Sequence, residues 1–358
     1  MIEVWNNTIH TRELENFGHA VADRNIMEGP VLKVFEERIK KLLKADYVIG
    51  TSSGSAALAL AFMGIGIAPG DEVIVPDLTF IATANAAHLL GAEVIVAPVK
   101  ENQTLLDENA VEEYVTDKTK AIVTVDLNGR IACSKMLREK YAKRGIYIVD
   151  DACQAFMAHG NDGSPAGAYA DITCYSFGIT KMVTTVMGGL VATNRKEIYE
   201  KMKIMKTQGM PSVFEGDTYM YPGFNFKLPD VLAAIGMGQL DCLNDKMQHM
   251  LRINRMYREN LIGIAGISFL ERKEGEHPWM TDIICENRDK VRRVLADHEI
   301  SSRPLGAPLH SANYLRSKGE YMSSVIMSKK MLYLPGGPDQ DIENVEKVIR
   351  VLKSNDLR

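Results

Sequence analysis

The run Tyr47-Val48-Ile49-Gly50-Thr51-Ser52-Ser53-Gly54-Ser55-Ala56-Ala57-Leu58 shows the fold in miniature. A continuous β-rich run, Tyr47–Thr51, passes through small polar residues into an alanine- and leucine-rich helical stretch, Gly54–Gly64. An apolar strand without polar alternation has both faces buried. A Ser/Gly turn at a strand's carboxyl end lets backbone amides approach an anion, and the helix N-terminus beyond it favours negative charge. The same residues also make an ordinary N-cap.

The pattern repeats along the chain. Glu72–Pro76, Glu93–Pro98, Ala121–Asp126, Ile146–Asp151, Ile172–Phe177 and Leu190–Thr193 read as further strands. Ile81–Leu90, Glu108–Tyr114 and Ser134–Arg144 read as the helices between them. Such alternation predicts an α/β fold with a seven-stranded, mainly parallel sheet. That sheet implies a large domain over residues 1–240. The tail differs, with one long helix, Cys242–Ile262, and short strands near Gly266–Leu270 and Met280–Cys285. Helices over Asn287–His298 and Asp341–Lys353 complete a smaller C-terminal α+β domain, residues 241–358. A chain of 358 residues suits one large and one smaller core.

Composition narrows the partners. The net charge of −4 gives no electrostatic reason to expect nucleic acid or an anionic membrane. The five cysteines are odd in number and none are spaced Cys-x-x-Cys, which argues against disulfides and zinc and for a reducing cytoplasm. No His-x-x-x-His pattern occurs, so no metal is expected. The first residues lack a basic region followed by an apolar stretch, and no signal peptide is expected. The longest apolar run, Ala56–Ala68, falls short of the roughly 20 residues of a membrane helix.

In α/β sheets, ligands sit at the carboxyl ends of the strands. Asp150 and Asp151 end one strand, where a carboxylate can cap a helix or keep a ring nitrogen protonated, turning a pyridine into an electron sink. Cys174-Tyr175-Ser176-Phe177-Gly178-Ile179-Thr180-Lys181 ends the next. A lone lysine is usually a solvated surface charge. A buried one loses its proton readily and becomes a nucleophile. Gly188-Gly189 then allows a tight turn. His159, Trp279 and Arg303 are candidates for a substrate pocket, with a purely structural role as the alternative.

Taken in order, these residues resemble the DegT/StrS type of pyridoxal 5'-phosphate (PLP)-dependent sugar aminotransferases, of fold-type I architecture. The resemblance runs through Gly29-Pro30 with Phe35-Glu36, Ser53–Leu58, Pro69–Pro76 with Thr79-Phe80, and Asp150–Gln154. It continues through Ser176-Phe177 with Lys181 and Gly188-Gly189, Gly223–Phe226, Ala233–Gly236, Pro308–His310 and Leu334-Pro335. It implies that Lys181 forms the internal aldimine and shuttles the proton. Asp151 pairs with the pyridine nitrogen, Gln154 borders the ring, and Phe80 stacks on its face. Ser176, with the backbone of Ser55 and Ala56, holds the phosphate. Asn225 reaches the phosphate from a neighbouring subunit, so the active unit is a homodimer with shared sites. His310 falls where the family contacts substrate. The implied reaction transfers an amino group, from glutamate, to a keto sugar, nucleotide-linked or otherwise, or a related polyhydroxylated ketone.

Two departures stand out. Met187 replaces the usual Glu before the Gly-Gly pair, and Leu127-Asn128-Gly129-Arg130 replaces the usual aromatic-Gly-Gln stretch. Two other functions fit this frame, a PLP-dependent sugar dehydratase and a non-catalytic PLP-binding regulator. Dehydratase relatives carry histidine at the lysine position, and a regulator would have lost Lys181 or Asp151.

Overall fold

Valine- and isoleucine-rich runs form the strands of the computed structural model, which describes residues 1–211 and 218–358. β1 (Tyr47–Thr51), β2 (Glu72–Pro76), β3 (Glu93–Ala97), β4 (Thr119–Val125), β5 (Tyr147–Asp151), β6 (Ile172–Ser176) and β7 (Gly189–Thr193) are nearly all buried along their length. Each matches an expected strand to within two residues. They form one sheet in the order β1-β7-β6-β5-β4-β2-β3. β2 to β6 run parallel, whereas β7 lies antiparallel to both β1 and β6.

The order reverses direction between β2 and β4, so their carboxyl ends open onto a crevice. Helices cover both faces. The helix Gly54–Gly64 packs with Phe62, Leu60 and Ala61 fully buried, and has its predicted bounds. On the other face, Phe35 meets Phe177 edge-on, with ring centroids 5.5 Å apart.

Three expectations change. The sheet has eight strands rather than seven, because β11 (Arg316–Ser317), from the chain's last quarter, pairs parallel to the edge strand β3. The expected helix Glu108–Tyr114 shrinks to a 3₁₀ turn, Val111–Tyr114. Side chains compete for the backbone there: Asp107 Oδ1 accepts from Asn109 N at 3.1 Å, and Thr119 Oγ1 accepts from Thr116 N at 2.8 Å. Helices Thr11–Ala22 and Pro30–Leu43, absent from the sequence reading, pack against the helix Asp230–Asp241.

Beyond residue 241 the long helix Leu243–Leu261 leads into a second, four-stranded antiparallel sheet. It consists of β8 (Ile267–Ser268), β9 (Asp282–Cys285), β10 (Arg303–Pro304) and β12 (Met331–Tyr333), in the order β10-β12-β9-β8. The helices Arg288–Asp297 and Ile342–Ser354 close a separate apolar cluster around Tyr257, Leu295 and Leu352. The chain's first residues join this region through the bridges Ile2↔Ile300 and Trp5↔Gly336. Among the described residues, no helix is long and apolar enough to cross a membrane.

Candidate active site

A cavity of about 260 Å³ opens at the carboxyl ends of the parallel strands. Its wall joins the ends of β5 and β6, the turn after β1 and two residues from the C-terminal region, Trp279 and Arg303. Six of the nine proposed site residues stand on it: Ser55, Phe80, Asp151, Gln154, Ser176 and Lys181. A separate, larger cavity of about 570 Å³ includes His159, and none of those six residues line it.

Lys181 follows the short turn after β6. Burial lowers the basicity of its amine, against the pull of Cys153 and Asp151, and Arg303 adds to the lowering. The amine lies over the ring of Trp279, 4.4 Å from its centre. Asp151 is buried at the end of β5. Its Oδ2 accepts from the Thr83 hydroxyl at 2.6 Å, and its Oδ1 accepts from Cys153 N at 3.1 Å. These bonds hold the carboxylate in one orientation on the cavity wall. Thr83 was missed from sequence. Its spacing of four from Thr79, which stands in the bend just before the helix Ala82–His88, was the available signal; the two hydroxyls lie 2.8 Å apart.

Asp150, on the other face of the strand, is buried with no hydrogen-bond partner among the described residues. Burial and the Asp126 and Asp151 charges push its carboxyl well above the usual range. Asp126, beyond the end of β4, is raised to about 8, chiefly by burial, although Ala132 N donates to it at 2.7 Å.

The turn after β1 makes the cradle. Ser53 Oγ accepts from Ala56 N at 3.1 Å, so the Ala56 amide expected at the phosphate is already capped. The amides of Gly54 and Ser55, in the helix's first turn, remain to receive an anion. A Cβ on Gly54 would stand 2.8 Å from that of Ser176 and 3.1 Å from its hydroxyl oxygen. Glycine thus brings bare backbone against the serine, and the two line one end of the cavity. Phe80, 59% exposed, presents its ring at the cavity. Gln154 Oε1 accepts from Asn128 N at 2.9 Å, which leaves its NH₂ as the free end. A buried amine, a fixed carboxylate, an unstacked aromatic ring and a glycine cradle at a helix N-terminus fit the parts of PLP: aldehyde, pyridine and phosphate.

Three proposed residues lie off the cavity wall: Ala56, whose amide Ser53 caps, Asn225 and His310. Asn225 is exposed beside the turn, next to Phe226, whose carbonyl accepts from Ser52 N at 2.8 Å. His310 stacks on Tyr321 at 4.8 Å, and its Nδ1 lies 2.7 Å from Asp77 Oδ2.

The departing stretch has a structural partner. Asn128, with φ of 54°, exchanges two hydrogen bonds with the backbone of Met280, at 2.9 and 2.8 Å. A Cβ on Gly129 would collide with His277 O, so only glycine fits. Arg130 Nη1 binds Asp282 Oδ2 at 2.6 Å, and Arg272 binds the other oxygen at 3.4 Å. Burial works against it, yet the two arginines hold the Asp282 carboxyl down to about 2.

Comparison with known proteins agrees with the geometry. Residues 7–353 match the model of the DegT/DnrJ/EryC1/StrS aminotransferase family. GDP-perosamine synthase of Escherichia coli O157:H7 is 32% identical over 79% of this chain and 78% of that protein. dTDP-3-amino-3,4,6-trideoxy-alpha-D-glucose transaminase of Streptomyces venezuelae is 30% identical over 91% and 87%. The crystal structure of the aminotransferase TlmJ from Streptoalloteichus hindustanus superposes with a TM-score of 0.92 at 25% identity, covering 99% of this chain and 98% of that one. The chain belongs to the DegT/DnrJ/EryC1/StrS aminotransferase family and is a PLP-dependent aminotransferase.

Proposed function

We propose that this enzyme transfers an amino group from an amino acid, glutamate first among them, to the carbonyl of a keto sugar or a similar polyhydroxylated ketone, with Lys181 as its catalytic base and point of cofactor attachment. The observation that carries this reading is the Lys181 amine, buried on the cavity wall and lowered in basicity. Two curated relatives are named for making amino sugars, which supports the sugar as acceptor. PLP, when bound, supplies an aldehyde for the amine and a pyridine ring that accepts electrons.

The chain's own residues do the rest. Lys181 Nζ, uncharged at little cost, takes up and returns the proton at the reacting carbon. Asp151, oriented by Thr83 and Cys153 N, keeps a proton on the ring nitrogen. Gly54, Ser55 and Ser176 receive the phosphate, and Phe80 covers a ring face. Asn225 serves the site of a second copy in a homodimer, and His310 meets the substrate at the outer rim. Five unpaired cysteines support a reducing cytoplasm as the setting.

Borohydride treatment of the holoenzyme should fix PLP to Lys181, as peptide mass mapping will read. L-glutamate alone should bleach the cofactor absorbance and release one equivalent of 2-oxoglutarate per site. Lys181→Ala should lose turnover by several orders of magnitude. A label on another lysine, or no bleaching with any amino acid, would overturn the reading.

A further inference from the structure

The stretch that carries Lys181 belongs to no helix or strand. β6 ends at Ser176, β7 starts at Gly189, and the chain turns between them. Among the described residues, no backbone amide donates to the carbonyl of Thr180 or to that of Lys181. Each takes one side-chain donor instead, and the two donors come from distant parts of the chain. Trp279 Nε1 donates to Thr180 O at 2.6 Å, and Asn7 Nδ2 donates to Lys181 O at 2.6 Å, across 174 residues.

Asn7 is itself held. Lys246 Nζ, buried on the long helix, donates to Asn7 Oδ1 at 3.0 Å and to Gln239 Oε1 at 2.6 Å. Gln239 Nε2 donates in turn to Glu13 Oε1 at 2.9 Å. On either side of Asn7, Asn6 N donates to Gly336 O at 2.9 Å and Thr8 N donates to Asp339 Oδ2 at 2.6 Å. The asparagine amide offers a donor and an acceptor at once. Turned over, it would set oxygen against oxygen at Lys181 and donor against donor at Lys246, so its orientation is fixed. A series of hydrogen bonds anchored on the helices Thr11–Ala22, Asp230–Asp241 and Leu243–Leu261 thus ends on the main chain of the reactive lysine.

The reaction gives such an anchor its use. While Lys181 is bonded to the cofactor, its side chain is tethered at both ends. Once an amino acid has displaced it, Nζ must carry the proton at the reacting carbon, and the backbone is the tether that remains. The side chain is long and flexible, so a small rotation of its backbone becomes a larger displacement of its nitrogen. A misplacement of about 1 Å costs roughly 10²-fold in rate.

We propose that Asn7 is a positioning residue for Lys181, holding the lysine's main chain so that Nζ stays at the reacting carbon after it has left the cofactor. This rests on the transamination reading and adds the N-terminal segment to the machinery of the site.

The experiment compares Asn7→Ala, Asn7→Asp and Asn7→Gln with wild type. In the glutamate half-reaction of the holoenzyme, Asn7→Ala should lower kcat by roughly 10–100-fold and leave KM nearly unchanged. Deuterium at the glutamate α-carbon should slow this variant more than it slows wild type. Asn7→Asp keeps the shape and the Lys246 partner but turns an oxygen toward Lys181 O, so it should lose as much as Asn7→Ala, whereas Asn7→Gln should recover part. In cofactor-free protein, acetic anhydride labelling of Lys181 across pH, read by peptide mass mapping, reports the basicity of the amine. Burial lowers that basicity in wild type. A lysine no longer held can reach water, so the labelling midpoint of Asn7→Ala and Asn7→Asp should move up toward 10.5. Cys153, Asp151 and Arg303, which also act on the amine, are the same in every variant. The proposal is refuted if Asn7→Asp keeps the wild-type kcat, which would make Asn7 only a tie between the N-terminal segment and Lys246, or if the labelling midpoint does not move. Absence of any half-reaction in wild type would defeat the transamination reading, and the labelling arm would still decide the role of Asn7.

Discussion

Two groups of buried charge lie close together in this molecule and behave in opposite ways. At the end of β6, burial leaves Lys181 without a close counter-ion, and its amine loses basicity. Around β9, Asp282 is buried more deeply still, but Arg130 and Arg272 clasp both its oxygens, and its carboxyl stays charged down to a pH of about 2. Both carry a desolvation cost, and partnership separates the two outcomes. A buried charge clasped by its opposite becomes a fixture, with its protonation state set. A buried group left short of partners keeps both protonation states within reach, which an acid–base residue needs.

The clasped set should be the more fragile to substitution. Asp282→Asn strands two buried guanidinium groups, of which Arg272 already has its basicity lowered to about 10 by burial and by Arg130. Removing one member of such a set costs about 3–5 kcal/mol, to be read as a lowered midpoint in urea. An unchanged midpoint would show that water, rather than Asp282, balances the arginines.

The unpartnered set should answer in the opposite direction. Lys181→Met, in cofactor-free protein, should gain about 0.5–2 kcal/mol at neutral pH, since an apolar chain replaces a poorly solvated amine. Between the lowered native pKa and the usual 10.5, the unfolded chain holds a proton that the native protein does not. Wild-type stability therefore rises with pH across that window, and the gain from Lys181→Met should shrink as pH approaches 10.5. A gain that stays flat with pH would mean that the lysine's charge is not its source.

Asp126 gives the smallest and most selective test. Its native carboxyl is raised to about 8 from the usual 3.8, so the native state binds a proton that the unfolded state has released. The stability this gives is complete below pH 3.8 and is lost as pH rises through about 8. Asp126→Asn removes the titration, and its melting temperature relative to wild type should climb by a few degrees between pH 6 and pH 9. Parallel melting profiles would contradict it.

The strands were legible because buried parallel strands are written as unbroken apolar runs, and Ile148 and Val149 have no polar neighbour before Asp150. Lys181, Asp151 and Ser176 were legible for a related reason: each stands at or just past the end of such a run. Trp279 and Arg303 could be named only as pocket candidates. Trp279 lies 99 residues from the Thr180 carbonyl it binds, and no local pattern announces that contact. β10 and β11 have two residues each, too few to show a period. The Glu108–Tyr114 reading failed because Asp107 and Thr119 side chains outbid the helix for backbone partners. The departing stretch was visible as a departure, but its partners at Met280 and Asp282 needed the folded chain.

The way β11 closes the edge of β3 bears on how the polypeptide is made. Until Arg316 and Ser317 leave the ribosome, β3 presents an open row of amides and carbonyls beside a hydrophobic sheet, the kind of edge that recruits stray strands. Its neighbour β2 is synthesised early, so the hazard lasts through most of translation at about 5–20 residues per second. The opening residues wait longer still, since Trp5 bridges to Gly336, near the other end of the chain. Synthesis therefore leaves two adhesive elements uncovered until it is nearly complete, and a nascent chain stalled in its last quarter is the species a chaperone would meet.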